Sequence, residues 1–381
     1  MTADGDGGER QCGADLQSAE GERSEVGGEM LSPPRCARPA DYKSAPHSPR
    51  TRLEWLDFYR GLAVIVMIET HVVNTFLTSA AWAEPWRVNL NYINGLVAPA
   101  FLFIAGFAHG LGLRRKRAVR AHAIPRLVRL AGIAGIGYAM HFPIVALVRG
   151  EWAEAWRLGT QMDVLVCLAF SIAALVVIER VCGRAVNVGA SLSVVAVLVA
   201  APELAGWTSG PIPLVAALNQ TTGSLFPVLP WAAFVFCGFG ASQRAATWKG
   251  MLPLVLGCVA VVAFIGRGAL TNVSSAFFFE RLAWVLALVP VCASLSARWS
   301  PRLVLFAGRE SFVVYLVHLG LIEVLALAGR NRHGLAATAA LYPAVLAASF
   351  AVAHAWRNFT VARADRARHA AHPQGSSAPA A

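Results

Sequence analysis

The sequence predicts an all-α polytopic membrane protein with about ten transmembrane helices and both termini in the cytoplasm. Of its 381 residues, 56% are hydrophobic and 14% are charged, and the mean hydropathy is +0.53. Soluble domains have about 25% charged residues, so this composition excludes an ordinary soluble protein. Apolar segments of about 20 residues, long enough to cross a bilayer as helices, follow one another along most of the chain.

Ten segments have the length and apolar character of transmembrane helices. No internal repeat relates them, which argues against the repeat architecture of many secondary transporters. They cover residues 58–78, 93–113, 126–148, 162–181, 186–203, 224–243, 251–267, 277–296, 303–328 and 335–357.

The distribution of basic residues gives the predicted orientation. Alternate loops are rich in arginine and lysine, and cytoplasmic loops carry such an excess in membrane proteins. Because both flanking regions belong to the richer set, we expect an even number of spans and both termini inside. The net charge of +11 is therefore a topology signal and does not indicate nucleic-acid binding. The densest basic run contains Arg114, Arg115, Lys116 and Arg117.

The ends of the chain differ from the apolar domain. Residues 1–50 are dominated by Gly, Ser, Glu, Arg and Pro, which is typical of disorder. We expect disordered cytoplasmic tails at 1–50 and 361–381, around a transmembrane domain at 51–360. A composition rich in Ala, Arg and Val, without a signal-peptide pattern, suggests the plasma (inner) membrane of a bacterium. No cysteine, histidine or acidic cluster has metal-ligand spacing, so no metal is predicted.

The first span carries ionisable residues at membrane depth. Asp57, Arg60, Glu69 and His71 interrupt its apolar sequence, and such costly residues are candidate functional sites. Arg60 and His71 lie on one helix face, about 20° from eclipse, and about 16 Å apart along the axis. With the amino terminus inside, Arg60 lies near the cytoplasmic surface and His71 lies past the midplane. A neutral imidazole there suits a general base or a nucleophile.

Structural roles compete with these functions. Arg60 could anchor the helix at the membrane surface or pair with Asp57, and His71 could connect two helices. Glu69 points to roughly the opposite face from His71, so it is a weaker candidate for orienting the imidazole.

The ninth span carries a row of polar residues along one face. Ser311, Tyr315 and His318 have i, i+4, i+7 spacing and should face the bundle interior or a cavity. They are candidates for binding a substrate or orienting His71, and interhelical hydrogen bonding is the alternative. A cavity could also be lined by other polar residues, namely Asn91, Asn94, His109, His141, Asp163 and Trp231.

Several stretches resemble the transmembrane acyltransferase superfamily. RLEWLDFYRGLAVIVMIETHVV (52–73) is similar to its opening helix, and Arg60 and His71 fit the arginine–ten residues–histidine motif. NGLVAPAFLFIAGFAHGLGL (94–113) resembles its second helix, and LFAGRESFVVYLVHLGLI (305–322) resembles its late GRxSLxxYxxH helix. LFPVLPWAAFVFCGFG (225–240) is similar to the FPLLPW helix of the heparan-α-glucosaminide N-acetyltransferase catalytic domain group, which the chain resembles most.

The resemblance implies an integral membrane acyltransferase. Such proteins move an acetyl or other acyl group from cytoplasmic acyl-CoA to a hydroxyl or amine of a sugar or glycan. It implies that His71 is catalytic, with Arg60 as its motif partner, and that acetyl-CoA is a co-substrate without a tightly bound cofactor. Direct transfer with His71 as base and transfer through an acyl-histidine both stay open.

The resemblance also distributes the candidate residues between donor and acceptor. Cations near the cytoplasmic surface could bind the phosphates of CoA. The basic run after the second span could instead serve only as a topology signal and attract anionic lipid. The donor candidates are Arg60, Arg114, Arg115, Lys116 and Arg117, and the acceptor candidates are Asp57, Ser311, Tyr315, His318 and Trp231.

Two other function classes use the same residues. A membrane transporter or flippase would employ the buried polar groups for proton relay or substrate binding. A degenerate family member would act as a scaffold. The expected partners are an acyl-CoA donor, a sugar or glycan acceptor and membrane lipid, without nucleic acid, and the sequence gives no oligomeric state.

Overall fold

The described part of the chain is helical throughout. A computed structural model describes residues 53–115, 123–244, 248–265 and 274–371. No β-strand occurs in these ranges, and the only β-type pairing within them is an isolated bridge between Leu77 and His333. The predicted all-α class is thus confirmed.

The helices follow the predicted apolar segments closely. Short 3-10 helices at Gly183–Ala185 and Trp248–Met251 accompany the α-helices. In chain order the α-helices are α1 Glu54–Phe76, α2 Ser79–Trp82, α3 Trp86–Asn94, α4 Val97–Arg115, α5 Ala123–Met140, α6 Ile144–Val148, α7 Trp152–Gly159, α8 Val164–Cys182, α9 Val186–Leu204, α10 Ile212–Leu218, α11 Val228–Arg244, α12 Leu252–Ile265, α13 Ser275–Arg298, α14 Arg302–Arg309, α15 Ser311–Ala326 and α16 Leu335–Ala371.

Several of these helices have the length and composition to cross a membrane. Four stretches within the described ranges qualify, at Trp86–Leu113, Val164–Leu204, Ser275–Arg298 and Leu335–Ala367. The bent pair α14 and α15 would make a fifth span. The count of ten spans and the cytoplasmic location of both termini stay predictions.

The helix α1 is central to the bundle. It packs against α4, α13, α14, α15 and α16. Its buried residues include Val64, Ile68 and Val72, and apolar residues at four-residue intervals form a continuous packing face. The helix that carries His71 is therefore held on several sides.

Glycines allow two helix pairs to touch through their backbones. A Cβ on Gly308 of α14 would overlap the carbonyl of Asp57 on α1. In the pair α4 and α11, a Cβ on Gly106 would overlap the carbonyl of Val235, and one on Gly238 would overlap that of Phe103. Small residues at such contacts are the usual means of close packing between membrane helices.

The predicted segments differ from the structure in two ways. First, two predicted spans are broken, and one of them is 126–148, which is divided between α5, ending at Met140, and α6, beginning at Ile144. The segment 303–328 is not one straight helix, because α14 and α15 meet at 88° around Glu310. The charged residues at this bend form ion pairs, Arg309 with Asp57 at 3.5 Å and Glu310 with Arg357 at 3.8 Å.

The second difference lies at the carboxyl end. Residues 361–371, assigned to a disordered tail, continue α16 to Ala371. These residues are mainly alanine and arginine, which are strong helix formers. The tail assignment for 1–50 and for 372–381 lies outside the described residues.

Candidate functional site

A polar cavity lies between α1, α3, α13 and α15. Its volume is about 470 Å³, which is within the size range of ligand sites. His71 opens onto it from the carboxyl-terminal half of α1. The other lining residues are Met67, Thr70, Asn74, Asn91, Asn94, Gly95, Val97, Ala98, Phe101, His141, Asp163, Val164, Gln220, Leu225, Phe226, Trp231, Phe277, Arg281, Tyr315 and Leu319.

A buried histidine packs directly against His71. The ring centroids of His71 and His318 are 5.3 Å apart, and those of His318 and Tyr315 are 5.5 Å apart. The Nδ1 atom of His318 lies 2.9 Å from the Val314 carbonyl oxygen. Because a carbonyl only accepts, Nδ1 carries the hydrogen, and Nε2 is left as an acceptor in the neutral ring. This Nε2 is buried and has no hydrogen-bond partner among the described residues.

Asp163 extends this polar group across the cavity. The Tyr315 hydroxyl donates to Asp163 Oδ2 at 3.2 Å, and the Val166 amide donates to Asp163 Oδ1 at 2.8 Å. The second bond caps the amino terminus of α8, where a carboxylate is favoured. His141 Nδ1 lies 3.9 Å from Asp163 Oδ2. Asp163 thus links α8, α15 and the turn after α5 around the cavity.

Aromatic rings form another wall of the cavity. Trp231 packs against Phe226 and Phe277, with ring centroids 4.9 Å and 6.1 Å away. Its indole Nε1 is buried and lacks a hydrogen-bond partner in the described part of the chain. An aromatic wall with an available donor suits a ligand that has both apolar faces and hydroxyl groups.

The loop before α11 is fixed by side chains from α7 and from itself. Arg157 donates to the Thr222 carbonyl at 2.5 Å. Arg157 also pairs with Glu154, and this hydrogen-bonded pair holds the pKa of the Glu154 carboxyl below its usual value. The buried Asn219 amide donates to the carbonyls of Leu204 and Trp207, each at 2.8 Å. These bonds hold in place the loop that supplies Gln220 and Phe226 to the cavity.

Arg60 lies at the other end of α1 from the cavity. It forms an ion pair with Asp57 at 4.0 Å, and its Nη1 is 3.5 Å from the Gly308 carbonyl oxygen. Arg309 also reaches Asp57. The buried Asp57 is therefore held by two arginines at the contact between α1 and α14.

The remaining predicted residues are placed as follows. Of the acceptor candidates, Tyr315 and Trp231 line the cavity, His318 packs behind His71, and Asp57 and Ser311 are buried outside the cavity lining. Arg114 and Arg115 end α4, and Lys116 and Arg117 lie outside the described residues.

The structure adds cavity residues that sequence reasoning missed. Arg281 lies in an apolar span, a signal that could have identified it. Thr70 and Asn74 occupy the same face of α1 as His71, and Gln220 comes from a loop without a recognisable pattern. His109, considered as a lining residue, instead lies 2.6 Å from the buried Glu179.

Comparison with known protein families matches the sequence to one of them. Residues 52–272, more than half of the chain, match the family described as heparan-alpha-glucosaminide N-acetyltransferase, catalytic. The chain belongs to this family. No curated protein matches it.

Membership in the N-acetyltransferase family confirms the resemblance. The matched region contains Arg60, His71, Asp163 and Trp231, and helices beyond it complete the same cavity with Arg281 and other residues. Together, the apolar helices and the family indicate a membrane protein with an acetyltransferase catalytic domain.

Proposed function

We propose that the protein is an integral membrane acyltransferase that moves an acetyl or other acyl group from acyl-CoA to a hydroxyl or amine of a sugar or glycan. The observation that carries this proposal is His71, which opens onto a polar cavity and packs against a second histidine of fixed tautomer. An imidazole that opens onto a ligand-sized cavity, with a second imidazole packed behind it, can bind, hold and release a proton.

His71 can act by either of two routes. As a general base, its imidazole takes the proton of the acceptor hydroxyl or amine while the acceptor oxygen or nitrogen attacks the thioester carbonyl. The carbon–sulfur bond breaks, and the CoA thiolate finally receives the proton from His71. As a nucleophile, a nitrogen of the neutral His71 ring attacks the thioester carbonyl, the carbon–sulfur bond breaks, and the CoA thiolate takes the proton from the other ring nitrogen. The acceptor oxygen or nitrogen then attacks the acyl-imidazole carbonyl, the bond to His71 breaks, and the imidazole takes up the acceptor's proton.

His318 supports both routes as a positioning residue. Its Nδ1 is engaged with the Val314 carbonyl, so a neutral His318 presents only an acceptor nitrogen to its surroundings. A hydrogen bond from His71 to Nε2 would fix the tautomer of His71 and leave its other nitrogen basic. Ring centroids only 5.3 Å apart make this contact accessible by a small side-chain rotation.

The two substrates approach His71 from different directions. We place the phosphates of CoA near Arg60, Arg114, Arg115, Lys116 and Arg117, because phosphate groups are bound by clustered cations. Arg60 also organises this end of α1 through Asp57. We place the acceptor in the cavity, where Trp231 and Tyr315 offer stacking surfaces and hydrogen-bonding groups.

The test is transfer of label from radiolabelled acetyl-CoA by purified protein in nanodiscs, with a mixed envelope glycan extract as acceptor. We expect His71→Ala to lower the rate by about a hundredfold or more, since positioned acid–base groups contribute at least that much. The matched control is His354→Ala, because His354 is exposed on α16. It should retain the wild-type rate.

The outcomes separate the function classes. Label that reaches glycan in wild type and His354→Ala, and is lost in His71→Ala, supports the proposal. No binding or turnover of acyl-CoA at any chain length contradicts it and favours a transporter or scaffold.

A further inference from the structure

Arg281 is a fixed cation in the cavity wall. Its Nη1 donates to the Tyr92 carbonyl at 2.8 Å, and its guanidinium carbon lies 4.2 Å from the Tyr92 ring centroid and 5.4 Å from that of Phe277. Contacts to two rings and a carbonyl restrict the side chain to one orientation, so its remaining N–H groups have a defined direction.

No carboxylate of the described residues forms an ion pair with Arg281. The acidic residue next to it, Glu280, instead accepts a hydrogen bond from the Tyr92 hydroxyl at 2.9 Å. Asp163, the acidic residue of the cavity lining, is engaged by Tyr315 and by the amide of Val166. A partly buried guanidinium normally has a counter-charge, and the described ranges of the chain place no carboxylate in an ion pair with this one.

One donor of Arg281 is already desolvated. The Nε atom is buried and has no hydrogen-bond partner within the part of the chain that the structure describes. Burying part of a charged group is costly, and an anion beside the guanidinium in the cavity would lower that cost by balancing its charge. The guanidinium has a planar set of donors that fits the paired oxygens of a carboxylate or phosphate.

We propose that Arg281 binds an anionic group, a carboxylate or a phosphate, carried by the acceptor. This inference rests on the proposed function, because it assigns the acceptor to the cavity of His71. It narrows the acceptor from any sugar to an acidic or phosphorylated one, with the anion at Arg281 and the reacting hydroxyl or amine at His71.

The position of Arg281 favours the acceptor over the donor as the source of the anion. Phe101 of α4 lines the cavity, whereas Arg114 ends the same helix thirteen residues later. At 1.5 Å per residue these positions are about 20 Å apart. Phosphates bound at the basic end of α4 therefore lie far from Arg281, and a different anion must reach it.

Binding of paired sugars to the purified full-length protein in nanodiscs tests this inference. The pairs are glucosamine 6-phosphate with glucosamine, and glucuronate with glucose, so that phosphate and carboxylate are examined separately. Inorganic phosphate and acetate are included as anions without a sugar. The variants are Arg281→Gln and Arg281→Lys, and the matched control is Arg149→Gln, which changes an exposed arginine between α6 and α7.

We expect at least one charged sugar to bind wild type and Arg149→Gln about tenfold more tightly than its neutral partner, the range of one charge-assisted hydrogen bond. Arg281→Gln should abolish this preference but keep the affinity for the neutral sugar, which also demonstrates that the variant is folded. Arg281→Lys should retain part of the preference, because it keeps the charge and loses the planar set of donors.

Three results would overturn the inference. In the first, wild type binds charged and neutral sugars with equal affinity. In the second, Arg281→Gln lowers the affinity for charged and neutral sugars equally. In the third, inorganic phosphate or acetate binds, but the protein has no preference between charged and neutral sugars. Failure to bind every probe counts equally against it. Arg281-dependent sugar binding without acetyl transfer would instead contradict the proposed function and leave the anion site in place.

Discussion

His318 is the buried side chain that packs against His71, the proposed catalytic residue. It lies fully inside the bundle, with one nitrogen bonded to the backbone and the other facing no partner among the described residues. Tyr315 packs on it and connects it to Asp163. Burying a nitrogen without a partner costs free energy, and a hydrogen bond from His71 to Nε2 would recover part of that cost.

We expect His318→Phe to lower kcat by about tenfold or more, with KM changed by less than about threefold, since acid–base catalysis is sensitive to the position of its groups. Phenylalanine keeps a ring against Tyr315 and removes both nitrogens. The matched control is His333→Phe, whose ring packs edge-on against Phe76 away from the cavity. Equal effects of the two variants on kcat, or a loss confined to the melting temperature, would argue against a positioning role.

Part of the site was predictable from residue spacing alone. Arg60 and His71 lie on one face because helix geometry fixes that relation, and the spacing of Tyr315 and His318 likewise predicted a shared polar face. The link from Tyr315 to Asp163 could not be predicted, because it joins residues 152 positions apart through tertiary packing. Arg281 was missed although its charge interrupts an apolar span, and its place in the cavity wall is set by the fold.

At the scale of elements, close helix contacts depend on particular glycines. Gly106 and Gly238 face each other's helices across the α4 and α11 contact, whereas Gly112 and Gly240 on the same two helices have open space around them. The sequence alone could not separate these positions, because all four glycines lie in apolar helices and only packing distinguishes them.

We expect Gly106→Ala and Gly238→Ala each to lower the free energy of unfolding by about 1–3 kcal/mol, the usual cost of overpacking. Gly112→Ala and Gly240→Ala should be neutral or stabilising by up to about 1 kcal/mol, because alanine favours helix over glycine. Thermal or denaturant unfolding in detergent measures all four variants. A similar cost at all four positions would show that backbone contact is not the reason for these glycines.

The helix segments themselves were largely predictable, and their breaks were not. Apolar length predicts a helix well in a membrane protein because the backbone must satisfy its own hydrogen bonds there. The 88° bend at Glu310 lies where Arg309 and Glu310 form ion pairs with α1 and α16, and these long-range pairs could not be read from the sequence.

For the whole molecule, the orientation in the membrane is open to direct measurement. The basic loops predict that Arg302 at the start of α14 faces the cytoplasm and that Arg149 between α6 and α7 faces the opposite side. Both are exposed.

We expect a cysteine at Arg149→Cys to react with a membrane-impermeant maleimide in intact cells, and Arg302→Cys to react only after permeabilisation. The unsubstituted protein gives the background, because the chain has seven cysteines of its own. The reverse pattern would invert the topology and place the cavity of His71 on the cytoplasmic side.

The central helix is anchored at both ends. At one end Asp57 is held by Arg60 and Arg309. At the other, the amide of His333 donates to the Phe76 carbonyl at 2.9 Å, and the Thr78 amide donates to the His333 carbonyl at 3.0 Å. These contacts oppose sliding of α1 along its axis and so hold the imidazole of His71 at one depth. Under the proposed function, both substrates must therefore travel to a stationary imidazole, and we expect any gating motion in the surrounding helices.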